Sequence, residues 1–186
     1  LFVNFTAITD FQLGRGGGAQ FHPDGENGNT PLPNISNTCT TYTAYNNDFK
    51  SIHSSPSTGL RNIKQLDNLT YLHLSGNYYL SDSSFLITSD VINYVNTSAT
   101  NLPIPNLSGK QQLQTYQGTY MRSSGGLFSG NTFKFANCTA LETLNFYATG
   151  LGGRFPKFNN PNLSYLELRF TNIAGGYQRS DGQTFD

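Results

Sequence analysis

Leu69-Thr-Tyr-Leu72-His-Leu74-Ser-Gly-Asn77 decides the fold of this chain. Leu72 and Leu74 flank one polar residue, so a short strand buries one face. Leu69, three residues ahead, fills the core as the chain enters the strand. Asn77 follows at a turn, where a short polar side chain can satisfy backbone groups of neighbouring segments. The LxxLxLxxN spacing recurs. Leu141-Glu-Thr-Leu144-Asn-Phe146-Tyr-Ala-Thr149 and Leu163-Ser-Tyr-Leu166-Glu-Leu168-Arg-Phe-Thr171 repeat it with Thr in the Asn position. Looser copies are Ile92-Asn-Tyr-Val95-Asn-Thr97, Leu113-Gln-Thr-Tyr116-Gln-Gly118 and, most degenerate, Tyr42-Thr-Ala-Tyr45-Asn-Asn47. The anchors Tyr42, Leu69, Ile92, Leu113, Leu141 and Leu163 lie 27, 23, 21, 28 and 22 residues apart. One copy cannot bury its apolar face alone, so neighbours must stack into a continuous core. The expected product is a solenoid with a parallel sheet of about six short strands, one per copy.

Between copies the chain reads as loop. Asn101-Leu-Pro103-Ile-Pro105-Asn-Leu107-Ser-Gly109 and Leu151-Gly-Gly-Arg-Phe155-Pro156-Lys-Phe158-Asn-Asn-Pro161 are rich in proline and glycine, which oppose long helices. The convex side should carry turns, 3₁₀ pieces and short extended runs. Helical turns are expected only within 83–95 and 109–117. Composition agrees. Charged residues make up 12% of the 186, the net charge is zero, and 13% are aromatic. A typical chain is about 25% charged. Neutrality argues against nucleic-acid binding, which needs a basic stripe. No apolar run approaches the ~20 residues that span a bilayer, so no membrane insertion is expected.

The stretch from Cys138 to Gly176 resembles a leucine-rich repeat with an LxGxxP insertion, here Leu151-Gly-Gly-Arg-Phe155-Pro156. Phe135-Ala-Asn-Cys138-Thr-Ala-Leu141 is similar to the FxxCxxL entry of bacterial surface and phage-encoded leucine-rich repeats. The Asn-, Gly- and Tyr-rich, charge-poor style is similar to virion structural proteins of marine tailed phages. The repeat resemblance covers roughly residues 35–176 and implies a leucine-rich-repeat-like solenoid over 35–186. Ligand sites in that family have no fixed motif position, so it assigns no binding residue here.

Residues 1–34 read as an N-terminal arm or cap. Leu1 to Ile8 has strand character, and 14–18 and 23–29 have loop character. The chain starts at Leu1 and reads as a piece of something longer. Cys39 and Cys138 each stand three residues before an anchor, four copies apart. Four strand steps separate them by roughly 19 Å, beyond the ~7 Å that a disulfide spans. Both are expected to be free, buried thiols, with no disulfide.

Little catalytic chemistry is visible. The Gly14–Gly18 cluster lacks the Lys-Ser/Thr of a phosphate loop. Asp24, Glu26 and Asn29 have calcium-type donors without a closing Glu, and a solvated turn is the simpler reading. His22, His53 and His73 are scattered, no CxxC or GxSxG occurs, and Glu142 and Glu167 sit one copy apart on one face. No catalytic residue, metal site or cofactor is expected. Seven N-x-S/T sequons occur, with Asn68 and Asn162 at one repeat position.

The informative surface is the solvent face of the sheet. Between the core positions stand Asn46, His73, Asn96, Gln117, Asn145 and Glu167. Flanking them are Ala44, Tyr71, Tyr94, Thr115, Thr143 and Tyr165 on one side, and Asp48, Ser75, Ser98, Thr119, Tyr147 and Arg169 on the other. The candidate binding residues are Tyr71, His73, Tyr94, Asn96, Gln117, Asn145, Tyr147, Tyr165, Glu167 and Arg169. Tyr, Asn and Ser form adaptable protein-recognition surfaces, and rings with amides also suit sugars. The expected function is a non-enzymatic interaction module of a phage virion (tail, fibre or capsid-associated). It would contact other subunits or a host-surface receptor or glycan, in a virion or extracellular setting. The alternative is a bacterial cell-surface adhesin for glycans or host proteins.

Overall fold

The computed structural model describes residues 8–14, 31–52, 60–121, 126–129, 132–154, 156–174, 177–178 and 184–185. The expectations for 1–7, most of 14–18, and Asp24, Glu26 and Asn29 lie outside them.

Seven strands form one all-parallel sheet: β1 (Asp10–Gly14), β2 (Thr41–Tyr45), β3 (Tyr71–His73), β4 (Tyr94–Asn96), β5 (Thr115–Gln117), β6 (Thr143–Asn145) and β7 (Tyr165–Glu167). They lie side by side in chain order. The sheet therefore has one more strand than the six anchors predict, supplied by the leading segment. Short two- and three-residue pairs decorate the connections, including the parallel pair Gly152–Arg154 with Asn172–Ala174 inside the LxGxxP stretch.

The residues that pair with Leu72 along the ladder point inward from β1 to β6. Phe11, Tyr42, Leu72, Val95, Tyr116 and Leu144 are all buried, and the anchors Leu69, Ile92, Leu113 and Leu141 are fully so. At β7 the ladder reaches its edge, and Leu166 is 37% exposed.

The degenerate copies obey the same packing with different volumes. Gly118 stands where Leu74 stands in the clean copy. A Cβ there would come within 2.7 Å of Met121 Sδ and 2.8 Å of the Tyr116 ring. The large Tyr116 thus fills the space that Gly118 vacates, and its hydroxyl shares a 2.9 Å hydrogen bond with buried Thr97. Tyr42 donates its hydroxyl to Pro33 O at 3.1 Å. Buried Tyr is stable because each phenol finds a partner.

The first copy needs a correction. Tyr42 pairs with Leu72, not with Leu69. Cys39 is therefore the anchor, and the expected register there is off by three. Cys39 N donates to Ser36 O as Leu69 N donates to Leu66 O. Cys39 and Cys138 consequently occupy different repeat positions, although four strand steps still separate them. Both are free and buried. Burial pushes each thiol up to about 11, so they stay protonated. The helical expectations for 83–95 and 109–117 also fail. Both stretches are turns leading into β4 and β5. The single helical element among the described residues is a 3₁₀ turn, Ile63–Gln65, closed by an Asn62–Gln65 capping box.

Strands β2 to β7 leave the sheet through the same corner. Asn46, Gly76, Ala99, Tyr120, Ala148 and Phe170 stand four residues after Tyr42, Leu72, Val95, Tyr116, Leu144 and Leu166. All six have positive φ, between 52° and 75°. Five of these residues donate a backbone N–H to the next strand's exit, as Gly76 does to Ser98 O at 3.0 Å. The next position is the Asn/Thr site. Asn77 donates to Ala44 O (2.6 Å) in the preceding segment and to Leu74 O (2.8 Å) in its own. Asn47 likewise reaches Leu13 O and Tyr45 O. Thr100, Thr149 and Thr171 reach only their own segment. Asn therefore ties two segments together, and Thr closes one.

Two outcomes follow for chemical denaturation. Asn77→Ala strands two carbonyls and costs about 2–4 kcal/mol, whereas Asn77→Thr loses less because it keeps the local bond. Ala99→Gly and Ala148→Gly each raise stability by about 0.5–1 kcal/mol, because a left-handed φ penalises any Cβ.

Candidate functional site

The side chains beside each buried centre line the outer sheet face in two ladders. One runs Thr41, Tyr71, Tyr94, Thr115, Thr143, Tyr165. The other runs Thr43, His73, Asn96, Gln117, Asn145, Glu167. In β2, Thr41, Thr43 and Tyr45 replace the expected Ala44, Asn46 and Asp48, because Tyr42 pairs with Leu72. Ala44 is core and Asn46 is a corner.

The rings separate into two groups. Toward β2–β4, Tyr71 and Tyr94 stack with centroids 4.3 Å apart and planes within 5°. His73 stacks on Tyr45 at 5.1 Å and meets the edges of Tyr71 and Tyr94 at 6.5 and 6.4 Å. Its Nε2 lies 2.6 Å from Ser75 Oγ. Burial lowers the His73 pKa, favouring the neutral imidazole. Asn96 extends this group, donating to Gln117 Oε1 at 3.2 Å and to Tyr94 OH at 3.3 Å.

Toward β5–β7, Tyr147 lies between Tyr120 (5.4 Å) and Phe170 (5.3 Å), both edge-on. Arg169 sits over the Tyr147 ring at 5.6 Å. Its guanidinium grips Glu167 through Nη2–Oε2 at 2.6 Å and Nε contacts at 3.0 Å to both oxygens. That fork holds the Glu167 carboxyl down to about 2. Phe170 is 73% exposed and Tyr120 58%.

The structure thus brings Tyr71, His73, Tyr94, Asn96 and Gln117 into one cluster and Tyr147, Glu167 and Arg169 into another. Tyr165 is separated from the Tyr71–Tyr94 stack by Thr115 and Thr143 along the ladder and belongs with the second group, where its side chain hydrogen-bonds Glu167. Asn145 spends its Oδ1 on Tyr147 N–H at 3.1 Å. Asn96 does the same for Ser98 N–H, and Glu167 for Arg169 N–H. These side chains cap the strand exit.

Sequence reasoning missed Tyr45, Tyr120 and Phe170. The signal for the last two was an aromatic residue where the clean copy has Gly76. A bulky residue with positive φ is an outlier, and such strain gathers at functional positions.

Among the described residues, no three His, Cys, Asp or Glu side chains gather as a metal site. No helix among them is long and apolar enough to cross a membrane. No protein-family model matches the chain, and neither curated proteins nor solved structures yield a match.

The ion pair sets a pH signature. A depressed carboxylate pKa contributes stability that is present above the unfolded Glu value and lost as pH falls toward about 2. Carboxyl NMR titration of Glu167 should give a midpoint near 2, and Arg169→Met should move it upward toward the ordinary Glu value.

Proposed function

We propose that this chain is a leucine-rich-repeat-like solenoid acting as a non-enzymatic interaction module. In this reading residues 1–34 cap its first end, because β1 enters the same sheet. Its setting is a phage virion, as a tail, fibre or capsid-associated component that contacts other subunits or a host receptor. The observation that carries the interaction role is the row Tyr120, Tyr147 and Phe170 with Arg169 above it. Two of its rings are strongly exposed and held on a strained backbone. Tyr and Arg dominate protein-binding hot spots, and rings as exposed as Tyr120 and Phe170 add nothing to the core of this chain. The virion setting rests on the resemblance in repeat entry and composition. The second reading is a bacterial adhesin using the same face. A groove on the sheet face lined by Tyr45, Tyr71 and His73 favours it.

Immuno-electron microscopy with an antibody to this chain separates the settings. Label on phage particles supports the virion, label on the bacterial envelope supports the adhesin, and label confined to the cell interior removes both. The double variant Tyr120→Ser/Phe170→Ser should keep its fold by circular dichroism and lose at least about 2 kcal/mol of partner binding. Undiminished attachment of the folded variant would refute the corner row as the contact.

A further inference from the structure

The sheet face carries a groove of about 500 Å³ at its β1–β3 end, lined in part by Gln12, Thr41, Thr43, Tyr45, Tyr71 and His73. We infer that this groove is a subsite for a neutral saccharide. The inference deepens the recognition role proposed above and rests on it.

The walls are rigid rings. Tyr45 lies so close over the backbone of Gly14 that a Cβ there would run into its ring, and it also stacks on His73. Tyr71 is backed by its stack with Tyr94. Neither ring has to be ordered on binding, which reduces the entropy that association loses. The volume falls in the range of small-molecule sites, roughly 300–1,000 Å³.

The lining chemistry selects the ligand. Thr41, Thr43 and Thr70 bring hydroxyls, and Gln12 and Asn93 bring amides, so donors and acceptors alternate around aromatic walls. A sugar ring presents the complementary pattern: an apolar C–H face for the tyrosines and a rim of hydroxyls. Among the described residues, no Lys, Arg, Asp or Glu lines the groove. At its rim, Asp10 accepts two hydrogen bonds from Gln12 Nε2, at 3.1 and 3.0 Å. A carboxylate there disfavours acidic or sulfated sugars.

The sequence conceals this site. Gln12 and Gly14 stand outside the six copies, and Tyr45 was placed in the core. Only the pairing of β1 with β2, Gln12 opposite Thr43 and Gly14 opposite Tyr45, assembles the groove.

The test uses the full chain against an array of neutral hexose and N-acetylhexosamine oligosaccharides, with sialylated and sulfated ones alongside. Titration calorimetry then measures the best neutral binder. Tyr71→Ala should weaken it about tenfold, by loss of one stacking wall. Gln12→Ala, at an exposed position that cannot unfold the core, should weaken it a few-fold. Phe170→Ser should leave it unchanged. Absence of neutral-sugar binding at millimolar concentration overturns the inference, as does preference for acidic sugars. So does affinity indifferent to both Tyr71→Ala and Gln12→Ala. If sugars fail while Tyr120→Ser/Phe170→Ser still abolishes attachment, the groove falls and the recognition role stands. If sugars bind as described while attachment ignores the corner row, the reverse holds.

Discussion

The corner at the exit of β2 to β7 governs how these short strands hold together. A three-residue strand makes too few ladder hydrogen bonds to hold its neighbour alone. The chain adds a left-handed residue that aims the next backbone N–H at the following strand. It then adds an Asn or Thr that gathers the carbonyls left over. The six corners repeat this geometry although glycine occupies only one of them. At the other five the strain costs about 1 kcal/mol or more each, and the interstrand bonds offset it. Asn at positions 47 and 77 bridges segments at the β1–β3 end. Thr takes the same place at positions 100, 149 and 171 and bonds only its own segment.

This corner also links architecture to surface. A residue forced into positive φ at the strand exit points its side chain away from the core. When that residue is Ala99 or Ala148 only a methyl stands there, and at Gly76 the Asn46 side chain occupies the place of a Cβ. When it is Tyr120 or Phe170, a ring stands in solvent beside the sheet face, within reach of Tyr147 one residue before the next corner. The strongly exposed aromatic row is thus a by-product of fold geometry turned into surface chemistry. The other cluster arises from register. Tyr71 and Tyr94 stack because parallel pairing puts equivalent residues about 4.8 Å apart, close to the 4.3 Å observed between their rings.

Much of this was legible in the residues. The alternation in Leu72-His-Leu74 predicts a short strand with one buried face. The copies at Leu141 and Leu163 predict further parallel strands of the same sheet. The low charge and the Pro- and Gly-rich connections predict a nearly helix-free chain. Tyr71, His73, Tyr94, Asn96 and Gln117 were correctly read as one face, because period-two alternation is a local property of strands. The errors are local in sequence and nonlocal in cause. Tyr42 looks like an anchor by its spacing, yet Cys39 holds that place because the strand pairs Tyr42 with Leu72. Asn96, Asn145 and Glu167 look free on paper, yet each caps a backbone N–H two residues on.

The period of the strands, the polar and apolar sides of each, and the low charge of the exposed face are legible in the residues alone. Those properties depend on neighbours within a few residues along the chain. Only the tertiary structure decided that the leading segment supplies a seventh strand. It alone decided that Tyr116 and Gly118 share one volume, that Tyr45 faces Tyr71 across a groove, and that Tyr120 and Phe170 stand out at corners. Those outcomes depend on which backbone lies 4.8 Å away. A segment cannot specify its neighbour until a partner 20 to 30 residues distant has settled against it.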